Sequence, residues 1–179
     1  MKATRKSQSN LIARECIVTA LLQLTYEKPL SAITVSELTK KAGVSRVTFY
    51  RNYASKEEVL TAELEDLFAA YLEEDLRNVR QGIYYDRAHM THCFSYLYQY
   101  RLFMDGLMRC GFGDLFLRRL TRFVCEKWGG CQDGCPERYR LVAFSGLLYN
   151  VYTEWVRREC AETPEQLAEL IAGICGTGF

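Results

Sequence analysis

The chain has 179 residues, 49% of them hydrophobic, with 23 Lys/Arg against 22 Asp/Glu for a formal net charge of +1. That length supports a buried core in one domain or two small ones. The first ten residues hold no apolar run for a signal peptide, and no later stretch approaches a membrane span, so a cytoplasmic protein is expected. The charge is uneven. Residues 1–60 hold ten Lys/Arg and five Glu, and the remainder holds thirteen Lys/Arg against seventeen Asp/Glu. A basic front and an acidic back suit a domain that faces a polyanion joined to one that does not.

In chain order, residues 1–10 read as a flexible basic arm. Residues 11–26 form a first helix on the stripe Ile17, Val18, Leu21, Leu22 and Leu24, closed off by Pro29. Thr34 with Glu37 three residues later predicts a capping box for a second helix running to about Ala42. Gly43 ends it, because glycine takes the left-handed helix-ending conformation without strain. Ser45 is the expected N-cap of a third, short helix. There Phe49 and Tyr53 lie four apart and pack inward, while Val47, Thr48 and Arg51 point largely outward, flanked by Arg46 and Tyr50. Ser55 and Glu58 repeat the box and open a long helix over residues 56–79.

Two helices around a glycine turn, followed at once by a third helix start, is the layout of a helix-turn-helix DNA reader. Arg46 can donate to guanine edges or phosphate, Thr48 can meet a base edge or thymine methyl, and Val47 offers an apolar contact. Tyr50 and Tyr53 carry hydroxyls for phosphate. Lys56 sits in the first turn of a helix, where the dipole disfavours a cation, and is better placed beside phosphate. With Thr34, Ser36, Ser45 and Arg51, these are the candidate DNA-contacting residues.

Residues 10–60 resemble the N-terminal domain of the TetR family of transcriptional regulators. The matching stretches are Ile33-Thr34-Val35, Lys41-Ala42-Gly43-Val44-Ser45, Thr48-Phe49-Tyr50 and Ser55-Lys56-Glu57-Glu58. Tyr53 stands where a phenylalanine is usual, and Arg51-Asn52 occupy a variable pair that is often aromatic and histidine. The resemblance covers about a third of the chain. It implies a dimeric, all-helical repressor released from DNA by a small ligand. The expected fold is therefore all-α, with a three-helix helix-turn-helix domain over residues 1–56 and a larger helical effector-binding and dimerisation domain over 57–179.

Beyond the reader, residues 81–85 read as a break. Residues 87–100 and 102–110 follow as two helices or one bent one, and Gly111 and Gly113 break the chain. Residues 115–128 are another helix and residues 129–136 a loop. Residues 139–156 are apolar on more than one face, which demands burial on most sides. Thr163-Pro164-Glu165-Gln166 starts the last helix with a hydroxyl cap, Pro at the first position and Gln three residues on. These last two helices are the expected dimer interface, through Leu148, Tyr152, Trp155, Leu167, Leu170, Ile171 and Ile174. A two-fold dimer would carry two readers to a palindromic operator on double-stranded DNA.

Residues 84–128 are dense in aromatic and sulfur side chains. Helical domains bind ligands in mostly apolar sites. The tentative effector pocket is Tyr71, Phe94, Tyr98, Phe103, Met104, Leu107, Met108, Phe116, Phe123, Phe144 and Tyr152, for an apolar or aromatic effector. There are eight cysteines, and Cys125, Cys131 and Cys135 lie close in sequence, as do His89, His92 and Cys93. They make a thiol-redox or metal-responsive regulator one alternative. A ligand-independent DNA-binding protein controlled by a protein partner is the other. No phosphate loop, nucleophile elbow or catalytic histidine arrangement is present, so no enzyme, catalytic residue, metal or cofactor is expected.

Overall fold

A computed structural model describes residues 2–78, 82–129 and 136–176. Its regular elements are helical throughout: α1 (Lys2–Glu27), a 3-10 turn (Leu30–Ala32), α2 (Val35–Ala42), α3 (Arg46–Asn52), α4 (Lys56–Asn78), α5 (Arg87–Gln99), α6 (Arg101–Arg109), α7 (Gly113–Trp128), α8 (Pro136–Arg157) and α9 (Pro164–Gly176). The chain is thus all-α. The expected flexible arm is instead the start of α1, which runs unbroken from Lys2. Nothing in that stretch stops a helix, since it lacks both proline and glycine. Tyr100 separates α5 from α6, so the bent-or-broken question resolves as two helices. Gly111 at φ +83° makes the break before α7, whereas Gly113 belongs to the helix. The predicted loop over 129–136 and the end of the long helix at 79 fall largely outside the described residues.

The chain divides into two compact units. The first runs through Leu67 and also takes in Leu102–Gly111; the second comprises Phe68–Arg101 and the chain from Phe112 onward. In the first unit Ile17, Leu21 and Leu24 of α1, Leu38 of α2, Phe49 of α3 and Leu60 of α4 are all buried. Phe103, Met104 and Leu107 of α6 are buried as well. α6 seats on α1 closely enough that a Cβ on Gly106 would stand 2.5 Å from Leu22 Cδ2. Beside that seat Tyr26 donates to Asp105 (3.0 Å), and the Arg109 guanidinium pairs with Asp105 while lying over the Tyr26 ring.

In the second unit α9 packs on α5 and α7 packs on α8. Phe94 and Trp155 meet edge to face with ring centroids 5.7 Å apart. The polar ends of the buried aromatics are occupied: Trp155 Nε1 donates to Glu162 O (2.9 Å) and the Tyr152 hydroxyl to Leu97 O (3.3 Å). The capping box that opens α9 is reciprocal, as its sequence predicts. Thr163 N–H donates to Gln166 Oε1 (2.8 Å) and Gln166 N–H to Thr163 Oγ1 (3.3 Å).

Candidate nucleic-acid interface

The reader is assembled by local chemistry. Glu37 N–H donates to Thr34 Oγ1 (3.2 Å), which caps α2. The reciprocal half of that box is absent. The Glu37 carboxylate instead accepts from Lys28 at the end of α1, and that hydrogen bond holds its pKa below the usual carboxylate value. Gly43 ends α2 in the left-handed conformation (φ +67°, ψ +26°), with Gly43 and Val44 N–H groups turned back onto Lys40 and Thr39 carbonyls. Ser45 Oγ then accepts from Thr48 N–H (3.0 Å) to start α3.

This fixes which side of α3 is outside. Phe49 is fully buried and Tyr53 is 2% exposed, with ring centroids 6.0 Å apart. Val47 is 78% exposed and Tyr50 51%, and Arg46 and Arg51 are exposed as well. The Arg46 guanidinium lies 6.0 Å from the Tyr50 ring, so cation and aromatic form one outward pair. Thr34, Ser36 and Ser45 are exposed, and Thr48 is half-buried. An apolar valine and a cation standing in water on a short helix have no role in the core.

Two candidates are bound to the protein itself. The Tyr53 ring is buried and its hydroxyl accepts from Arg14 Nε (3.1 Å), so it is withdrawn from the phosphate-contacting set. Burial pushes the Tyr53 pKa up, against the opposing pull of Arg14. Arg14 also pairs with Asp66 at 2.5 Å and so ties α1, the end of α3 and α4 together. That network was illegible in the sequence, because its members lie 39 and 52 positions apart. Lys56 Nζ donates to Ile33 O (2.7 Å) and Ser31 O (3.3 Å), closing the carbonyls around the 3-10 turn. An ammonium carries three donors, so one stays available for phosphate.

The proposed pocket residues fall into both units. Phe103, Met104, Leu107 and Met108 belong with the reader, on α6. Tyr71, Phe94, Phe116, Phe123, Phe144 and Tyr152 are buried in the second unit, and Tyr98 is 40% exposed. Of the expected dimer set, Leu148, Tyr152, Trp155, Leu167 and Ile171 are buried within the chain. Leu170 (51% exposed) and Ile174 (38%) remain outside on α9, as do Tyr139 (72%) and Val142 (42%) on α8.

His89 and Cys93 have local explanations. Asp86 caps α5 by accepting from His89 N–H (2.8 Å), and the His89 ring sits 3.1 Å from the same carboxylate. Cys93 is buried, and desolvation pushes its thiol up to about 12, which keeps it protonated at neutral pH. Among the described residues no three His, Cys, Asp or Glu side chains converge as a metal site; Cys131 and Cys135 lie outside them. No helix among the described residues is long and apolar enough to cross a membrane.

A capped helix pair around Gly43, with the second helix presenting Arg46, Val47 and Tyr50 outward, defines a helix-turn-helix DNA-binding protein. Residues 17–62 match the bacterial regulatory proteins of the tetR family. Over 53 residues the chain is 40% identical to the uncharacterized HTH-type transcriptional regulator YxbF of Bacillus subtilis (strain 168). That match takes in 29% of this chain and 14% of YxbF. The whole fold is similar to that of the dihydroxyacetone kinase operon activator DhaS, with a TM-score of 0.60 over 92% of this chain and 94% of that one. At 19% identity this likeness concerns the fold alone. Residues 17–62 are thus a helix-turn-helix DNA-binding domain of the TetR type, the kind that transcriptional regulators carry.

Proposed function

We propose that the chain is a homodimeric repressor that binds a palindromic operator through its two readers and leaves it when a small, largely apolar or aromatic effector binds. The observation that carries the reading is the outward set of α3: Arg46, Val47 and Tyr50 exposed while Phe49 and Tyr53 are buried. Arg46, Val47 and Thr48 read base edges, with Thr34, Ser36, Ser45 and Arg51 around them. Tyr50 and Lys56 hold phosphate. The exposed apolar side chains of α8 and α9 (Tyr139, Val142, Leu170 and Ile174) support pairing with a second copy.

The effector acts on the second unit, whose core is rich in aromatic rings. α4 is continuous through the boundary between the two units and is the proposed lever. An effector shifts the balance only by its differential affinity for the DNA-competent and DNA-released states. The operon activator DhaS carries its name for the opposite sign of control. A reporter behind the chain's own operator decides the sign here: expression rises on deletion of a repressor and falls on deletion of an activator.

The docking is tested by anisotropy titrations across a salt series. Lys56→Ala and Tyr50→Ala should weaken binding to all DNA sequences alike, and Lys56→Ala should lower the salt slope by about 1. Arg46→Ala should cost about 1–3 kcal/mol at the operator and relax its sequence preference. Unchanged affinity in all three variants would remove the proposed docking.

A further inference from the structure

The second unit holds a buried polar cluster that its packing does not explain. Asp75 on α4 is fully buried. One of its oxygens is paired with Lys127 of α7 and the Tyr71 hydroxyl also hydrogen-bonds the carboxylate, yet the Oδ1 atom itself has no hydrogen-bond partner. One turn earlier on α4, Tyr71 stacks on His92 of α5 with centroids 5.2 Å apart. His92 Nε2 is also buried without a hydrogen-bond partner, while its Nδ1 lies 3.9 Å from Glu74. Aromatic rings stand around these groups: Tyr96 and Phe123 lie 5.0 and 5.4 Å from Tyr71, and the Lys127 ammonium lies 4.6 Å from the Trp128 ring. A buried polar atom left unsatisfied is costly, so two together call for a group that completes them.

We propose that Asp75 and His92 are the polar recognition point of the effector site, and that the effector is a neutral aromatic molecule bearing a hydroxyl or N–H donor, of the phenol class. This rests on the effector-responsive reading above. The class follows from charge and valence. Asp75 and Lys127 already balance each other. A cationic ligand would add a second positive charge beside Lys127, and an anionic one would meet the open carboxylate oxygen. His92 Nε2 accepts in the Nδ1–H tautomer of the ring, which is the tautomer that a donor-bearing ligand selects. Both open positions therefore ask for a donor, and the aromatic walls ask for a ring.

The full chain is titrated with phenol, anisole, benzylammonium and benzoate, by tryptophan fluorescence and calorimetry. Phenol should bind saturably. Anisole, which lacks the donor, should bind about tenfold more weakly, the fold-change of one buried hydrogen bond, and both ions should bind more weakly than phenol. His92→Phe keeps a ring to stack on Tyr71, and should bind phenol about tenfold more weakly with an unchanged helical spectrum. The double variant Asp75→Asn/Lys127→Met removes both charges together and should weaken phenol without leaving a lone buried ion. Equal binding of phenol and anisole, tighter binding of benzylammonium, unaltered binding by His92→Phe, or no saturable phenol binding would overturn the site. Phenol binding that leaves operator affinity unchanged would uphold the site and overturn the effector reading. Operator release by phenol with equal potency in His92→Phe would do the reverse.

Discussion

Gly43 shows how a single residue sets the reader. Its φ of +67° lies in the left-handed region, and a Cβ added there would meet nothing within 4 Å. Gly43→Ala therefore carries a backbone cost with no steric one. We expect a loss of about 1–2 kcal/mol in chemical denaturation. Ser45→Ala removes the oxygen that accepts Thr48 N–H and should cost about 1 kcal/mol. Tyr53→Phe keeps the buried ring but takes the acceptor from Arg14, for about 1 kcal/mol. If Tyr53→Phe instead lowered DNA affinity at unchanged stability, its hydroxyl would belong with the phosphate contacts after all.

At the scale of elements, α9 has two distinct faces. Leu167 and Ile171 are buried and Leu170 is half exposed, one position away from Ile171. Ile171→Ala should destabilise the fold by about 2–5 kcal/mol. Leu170→Glu should leave the melting temperature of the isolated chain nearly unchanged and yield monomers in analytical ultracentrifugation; a persistent dimer would place the interface elsewhere. α5 offers a test by pH. Burial works against the Asp86 carboxylate, but the His89 backbone N–H and ring prevail and hold its pKa below the ordinary value. Stability from a lowered carboxylate is present above the ordinary value of about 4 and is lost as pH falls through the folded one. The stability difference between the wild type and Asp86→Ala should be largest near pH 7 and shrink toward pH 3.

These elements also show what the sequence carries. The capped helices around Gly43 were legible because caps and the αL glycine are local, set by residues three or four apart. The inward face of α3 followed from the spacing of Phe49 and Tyr53. Which apolar side chains of α8 and α9 the chain buries within itself was not legible, because an apolar helix face looks the same whether it meets its own chain or another. Trp155 and Tyr152 bury themselves on Phe94 and Leu97, more than fifty positions away. The α6 residues Phe103, Met104 and Leu107 read as sensor by composition, yet they complete the core of the reader's unit. The Asp75–Lys127 pair spans 52 positions and left no periodic trace.

At the scale of the molecule, the division of charge matches the division of labour. The N-terminal sixty residues are net positive and carry the reader, while the remainder is net negative. One reader of this size, on a modestly basic domain, makes few phosphate contacts, so the proposed repressor would draw its operator affinity from two acting together. The central claim is that two such readers meet one symmetric site. Selection of bound sequences from random double-stranded DNA by the wild-type chain tests it most directly. The account predicts an enriched inverted repeat, with half-site centres about one helical turn or a multiple apart and two chains per duplex. An absence of enrichment, or a single unrepeated half-site bound by one chain, would contradict it.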